Sequence, residues 1–230
     1  MPRHPIFDNI YKGDLEGVKS RMLANPAVLD EKDGLQLTPL AYVIAHRKPT
    51  IVHWLIEHRG QHDVNTQTLG GMTALHSTCS WGRLSMVQAL VASGADPVMM
   101  DWRLMTPLMF ASIDGHSNIV AYLLELPAVR PTVDTGDRYS RTALAHASSK
   151  GSTSCVQLLL DAGADPTIPA GNFSSLHMAT SNNHTDIAAL LRAAIAVPPR
   201  PRPPQGPHPP RRRPHRPQGS LWQRTRQRQR

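Results

Sequence analysis

The chain has 230 residues, 40% of them hydrophobic but only 5% aromatic. Length therefore allows one domain or two, with a core built from Leu, Ile, Val, Ala and Met. Two cysteines, Cys79 and Cys155, exclude a disulfide-rich scaffold, and no run of about 18 apolar residues offers a membrane-spanning helix. The net charge of +8 is unevenly divided: residues 198–230 hold ten of the 25 basic residues and no acid, so 1–197 carries −2.

In chain order, residues 4–34 contain Gly13-Asp-Leu-Glu-Gly-Val-Lys-Ser-Arg-Met-Leu23 and the polar residues Lys12, Asp14, Glu16, Lys19 and Arg21. Residues 35–69 open a phrase at Thr38-Pro39-Leu40, which recurs as Thr73-Ala74-Leu75-His76 in 70–102 and Thr106-Pro107-Leu108 in 103–138. It returns as Thr142-Ala143-Leu144 in 139–170 and Ser174-Ser175-Leu176-His177 in 171–196. The spacings are 35, 33, 36 and 32 residues, which is one structural unit with small loop insertions. A second phrase follows each: Gly82-Arg-Leu-Ser-Met-Val87, Gly115-His-Ser-Asn-Ile-Val120, Gly151-Ser-Thr-Ser-Cys-Val156 and Asn183-His-Thr-Asp-Ile-Ala188. Gly94-Ala-Asp-Pro97 and Gly163-Ala-Asp-Pro166 close two units.

Each position has a physical reading. Thr or Ser caps a first helix, and Pro39 and Pro107 take its first position, where no N–H is missed. Leu40, Leu75, Leu108, Leu144 and Leu176 start its apolar face. Gly13, Gly82, Gly115 and Gly151 suit a left-handed residue ending that helix, and Asn183 is the next best choice. Val87/Leu90/Val91, Val120/Leu123/Leu124 and Val156/Leu159/Leu160 give a second helix its i, i+3, i+4 face. Unit two departs from this pattern. Arg47 stands where glycine is expected, so either the helix ends differently or Arg47 takes a strained conformation. The link Glu125–Asp134 is long, holds two prolines, and predicts a local break in the stack.

These phrases, in register over about residues 4–196, resemble the ankyrin repeat. The resemblance implies an all-α solenoid of about six stacked helix-turn-helix units joined by hairpin loops. Units one and six would be polar caps, and neighbour stacking would supply the missing cover. It implies a protein-binding module that uses hairpin tips and the concave face of the first helices. The matching positions are Trp102, Arg103, Arg138, Tyr139, Arg141 and Phe173 at the tips, and Trp81, Asp114 and Lys150 at first-helix ends. Trp, Tyr and Arg are types that often dominate interface energies. Trp81 and Phe173 also fit packing on a neighbouring unit. His76 and His177 occupy the phrase position where a buried imidazole bridges backbone groups.

No catalytic constellation emerges. His58 and His62 straddle Gly60, His46 and His53 have no third ligand near in sequence, and the two cysteines lack Cys-x-x-Cys spacing. A non-catalytic chain without cofactor or metal is the expectation, monomeric, and cytoplasmic or nuclear with reduced thiols. Met1–Asp8 lacks the apolar stretch of a secretory leader.

Residues 197–230 read as a disordered Pro/Arg tail with polyproline II character. Arg211, Arg212, Arg213, Arg224, Arg226, Arg228 and Arg230 fit weak, non-specific phosphate binding or a nuclear-localisation patch. Pro207-His-Pro-Pro210-Arg-Arg212 fits a PxxPxR ligand, a solvated tail without a partner fits equally, and an alternative coding end would also explain the change in composition.

Overall fold

The computed structural model describes residues 4–34, 37–58 and 64–196; the Pro/Arg tail lies outside the described residues. Six helix pairs follow one another. They are α1 (Pro5–Lys12) with α2 (Leu15–Ala24), α3 (Pro39–Ala45) with α4 (Pro49–His58), and α5 (Ala74–Ser80) with α6 (Leu84–Ala92). Then come α7 (Pro107–Ile113) with α8 (Ser117–Glu125), α9 (Ala143–Lys150) with α10 (Thr153–Asp161), and α11 (Ser175–Ser181) with α12 (Thr185–Ala196). Odd-numbered helices pack on odd-numbered neighbours and even on even, so the pairs form a two-layer stack.

The caps form as the phrase requires. The hydroxyls of Thr38, Thr106, Thr142 and Ser174 accept N–H bonds from Ala41, Met109, Ala145 and His177 at 3.1–3.4 Å. At Thr73 the cap is built by a histidine: His76 Nδ1 accepts the Thr73 backbone N–H at 3.0 Å.

Between the two helices of each unit the chain turns through a left-handed residue. Gly13, Gly82, Gly115, Gly151 and Asn183 have φ between 60° and 83°. Arg47 is the strained alternative: α3 stops at Ala45, and Arg47 itself turns at φ 52°. Glycine has a second role at two of these turns. A Cβ on Gly82 would stand 2.6 Å from His116, and one on Gly151 would stand 2.6 Å from His184.

The core runs the length of the stack between the layers. Val87, Leu90, Val120, Leu123, Val156 and Leu159 are fully buried, while Val91 and Leu160 at the i+4 position are half-buried. At the N-terminal end Phe7 meets Tyr42 edge-on at 5.0 Å.

The break expected at Glu125–Asp134 is confined to the link itself, and the helices on either side still stack, α7 on α9 and α8 on α10. Val129 and Val133 turn into the core, and Arg130–Thr132 forms one 3-10 turn that takes up the extra length. Asp134 then accepts the Asp165 N–H at 2.9 Å, as Asn65 accepts that of Asp96 at 2.7 Å one unit pair earlier. Burial of two valines outweighs the irregularity that two prolines suggest.

Candidate protein-binding surface

Three of the five tips before the first helices are built on a repeated aspartate, and at the tip before Thr73 the matching residue is Thr68, whose N–H donates to the Met72 carbonyl at 2.9 Å. Asp33, Asp101 and Asp137 each lie five residues before the capping threonine. Each Oδ1 accepts the N–H four residues on, from Leu37, Met105 and Arg141 at 2.9–3.0 Å. Backbone bonds close the same loops: Asp33, Asp101 and Asp137 donate to the carbonyls of Leu37, Met105 and Arg141. Two tips hold the residue three after the aspartate left-handed without glycine, Leu104 at φ 62° and Ser140 at φ 60°. The last tip is different, a two-residue ladder of β1 (Pro169–Ala170) on β2 (Phe173–Ser174).

Adjacent tips are sewn together by the main chain. Trp102 donates its N–H to the Gly70 carbonyl at 3.1 Å, and Arg138 donates to the Arg103 carbonyl at 2.9 Å. The Arg138 guanidinium also donates to the Trp102 carbonyl at 2.9 Å. These bonds fix a rigid row that displays side chains outward. Trp102 is 39% exposed, Phe173 50% and Tyr139 62%. Tyr139 leaves most of its ring to solvent, whereas Trp102 lies against Gly71, where a Cβ would stand 2.4 Å from the indole, and offers only its outer part.

The tip arginines differ among themselves. Arg103 bonds Asp101 through Nε at 3.0 Å and lies 5.4 Å over the Phe110 ring. Arg141 bonds Asp137 at 2.9 Å and lies 5.0 Å over Tyr139. Arg138 bonds only a carbonyl among these contacts and keeps its charge outward.

Asp137 is the most heavily bonded acid. Besides Arg141 and its N–H, it accepts the Tyr139 N–H at 2.8 Å and His146 Nε2 at 3.0 Å. Burial raises its carboxyl, but the N–H groups of Arg141 and Tyr139 and the Arg141 charge outweigh burial and hold it below the usual range. Burial, then the Arg141 charge, lowers His146 from its ordinary value.

The first-helix ends carry the remaining candidates. Asp114 accepts the Ser80 hydroxyl at 2.6 Å, linking two units, and Lys150 ends α9 exposed. Trp81 is partly a packing residue: its ring lies half-buried against the core, with the Arg47 guanidinium 5.3 Å above it. Phe173 does not pack inward; it stacks on His177 at 4.6 Å.

The two phrase histidines part ways. His76 is buried, with Nε2–H donating to the Met105 carbonyl of the next unit at 3.1 Å, and burial pushes it down to about 4. His177 is exposed and bonds Ser181, because no described unit follows to offer the matching carbonyl. The bridging histidines missed in the sequence are His116 and His184, which donate to the carbonyls of Ser80 and Ser149 at 2.8 and 3.2 Å. Their signal was present: each directly follows a left-handed turn residue.

Cys79 and Cys155 are buried free thiols, and burial raises both, Cys155 to about 11. Among the described residues no three His, Cys, Asp or Glu side chains converge as a metal site, and no helix is long and apolar enough to cross a membrane.

A family profile described as ankyrin repeats (3 copies) matches residues 8–101, 99–170 and 133–198. The chain belongs to the ankyrin repeat family. It is similar to ankyrin repeat protein nuc-2 of Neurospora crassa, 26% identical over 205 residues, covering 86% of this chain and 19% of that protein. It is also similar to E3 ubiquitin-protein ligase XBAT33 of Arabidopsis thaliana, 28% identical over 184 residues, covering 78% of this chain and 33% of the ligase. The chain thus spans about a fifth to a third of these relatives. Among solved structures, an ankyrin repeat domain from Acinetobacter baumannii superimposes with a TM-score of 0.72 at 24% identity, covering 83% of this chain and 97% of that one. The ankyrin repeat domain of Bcl-3, a member of the IkappaB protein family, gives 0.70 at 26% identity over 83% of this chain and 86% of that one. Ankyrin repeats generally mediate protein–protein interaction, and the fold is typically a non-catalytic module.

Proposed function

We propose that this chain is a monomeric, non-catalytic adaptor that binds a protein partner through the hairpin tips of its C-terminal half. The contact residues are Trp102, Arg103, Arg138, Tyr139, Arg141 and Phe173, with Trp81, Asp114 and Lys150 continuing onto the concave face. The observation that carries the reading is the exposed surface of Trp102 and Tyr139 on tips joined by backbone bonds, continued by Phe173 on its own two-residue ladder. A pre-ordered row loses little entropy on docking. The test is affinity capture with the full chain against Trp102→Ala/Arg138→Ala. Specific proteins should drop out while helical content stays unchanged and melting falls only modestly, by the loss of the Arg138–Trp102 bond and of the Trp102 packing on Gly71. Retention of every partner would sink the tip assignment.

The charge of +10 over residues 198–230 supports a second reading, a nuclear adaptor whose Arg tail contacts nucleic acid. Binding to a duplex should then fall steeply with salt and weaken sharply when Arg211, Arg212, Arg213, Arg224, Arg226, Arg228 and Arg230 become Gln, which leaves Arg200, Arg202 and Arg216. Salt-insensitive binding would contradict it.

A further inference from the structure

The turns between paired helices lie at the other end of the first helices from the tips, and their chemistry is not uniform along the stack. In units one to three they read Lys12-Gly13-Asp14, His46-Arg47-Lys48 and Trp81-Gly82-Arg83. In units four to six they read Asp114-Gly115-His116, Lys150-Gly151-Ser152 and Asn182-Asn183-His184. Four cations therefore crowd one half of this edge, and no described ion pair holds any of them. Asp14 is the acid among them, and it is engaged elsewhere, accepting the Gly17 N–H at 2.9 Å and the Asn9 amide at 2.7 Å.

The three turns form one surface. Lys48 Nζ stands 3.6 Å from where a Cβ on Gly13 would lie, bridging units one and two. The Arg47 guanidinium lies 5.3 Å over Trp81, bridging units two and three. Tyr11, 61% exposed, meets His46 edge-on at 5.5 Å, and His46 stacks on buried Tyr42 at 4.0 Å with Nδ1–H donating to the Tyr42 carbonyl. The imidazole thus anchors an outward-facing phenol to the core.

Arg47 is the informative residue. The equivalent position is glycine in units one, three, four and five, and Asn183 in unit six. An arginine at φ 52° stores backbone strain that glycine would not. What that arginine adds is a guanidinium fixed over an indole, next to Lys48.

We infer that the Lys12, Arg47, Lys48 and Arg83 edge, with Tyr11 as its exposed ring, is a second docking surface that takes an acidic, extended polypeptide segment. Packed helices stand about 8–10 Å apart. An extended segment in the polyproline II conformation advances about 3.1 Å per residue with three residues per turn, so carboxylates three residues apart lie on one face and meet successive units. Single-stranded nucleic acid fits less well, because it needs successive stacking platforms and Trp81 is already covered by Arg47. The surface stands apart from the tip row, sharing only Trp81 with the residues proposed above.

The probe is a fluorescein-labelled peptide of four Glu-Ser-Thr repeats with one central Phe. Its control has Gln for each Glu, and the competitor is a twelve-nucleotide oligo-dT. Anisotropy is read with the full chain, in parallel with a chain whose seven named tail arginines are Gln. Lys12→Gln/Arg47→Gly/Lys48→Gln should weaken the Glu peptide at least about fivefold in both backgrounds. Trp102→Ala/Arg138→Ala should leave its affinity unchanged, so this surface and the tip reading fail separately. Lys12→Gln/Lys48→Gln, which leaves the Arg47 turn intact, should show a smaller loss in the same direction. The inference is overturned if the triple variant binds the Glu peptide like wild type, if the Gln peptide binds equally well, or if oligo-dT binds more tightly through these same cations.

Discussion

Lowering the pH should unlock the joint between units three and four. His76 is buried, accepts the Thr73 N–H through Nδ1, and donates to the Met105 carbonyl through Nε2. It is therefore neutral in the native state, and burial brings it to about 4 from 6.5. Between those values the unfolded chain binds a proton that the native chain does not, so stability falls as pH drops through that window and levels off below about 4. Each unit of separation corresponds to about 1.4 kcal/mol, so His76 alone costs about 2 kcal/mol between pH 7 and pH 5. A protonated Nδ1 would also point a donor at the Thr73 N–H, which removes the cap. Urea denaturation at both pH values, on wild type and His76→Gln, isolates this effect from the other histidines. The wild type should lose about 2 kcal/mol more than the variant on acidification. Equal losses would show that His76 does not govern acid sensitivity.

Other substitutions probe the tips. Asp137→Ala strands two backbone N–H groups, the buried His146 N–H and the Arg141 guanidinium. It should cost about 3 kcal/mol in urea denaturation, discounted for the partial exposure of Arg141, and a loss under about 1 kcal/mol would contradict the clamp. Because the Asp137 carboxyl is held below its ordinary value, that stabilisation is present above about pH 4 and disappears as acidity approaches its native value. Ser140→Gly relieves an exposed left-handed residue and should raise stability by about 0.5–1 kcal/mol; a lower urea midpoint would refute the strain.

The repeat was legible because its determinants are local. A capping hydroxyl, a proline at the first helical position and a left-handed turn each act within a few residues, so Thr38, Pro107 and Gly151 read correctly from their neighbours. The Asp-to-Thr spacing of the tip clamps at 33, 101 and 137 is equally local. What escaped is coupling between units. His116 and His184 find their partners on Ser80 and Ser149, far away in sequence, and only the stack brings them together. His177 shows the converse: it has the right local phrase, but among the described residues its partner is Ser181 of its own helix. The linker was half legible: its prolines signalled the local irregularity, a 3-10 turn, but not that Val129 and Val133 would fill the gap between layers. Trp81 fitted either contact or packing, and the guanidinium of Arg47, from the preceding unit, partly covers it. The contact role of the tip residues is a matter of what they leave exposed, which follows from the assembled surface.

Hydroxyl-radical footprinting of the full chain, with and without a captured partner, tests the tip surface most directly. Trp102, Tyr139 and Phe173 oxidise readily when exposed, and Trp222 in the tail serves as an internal reporter. Partner addition should lower oxidation at Trp102, Tyr139 and Phe173 together and leave Trp222 unchanged. Protection of Trp222 with the three tip aromatics still fully oxidised would contradict the account and assign binding to the tail.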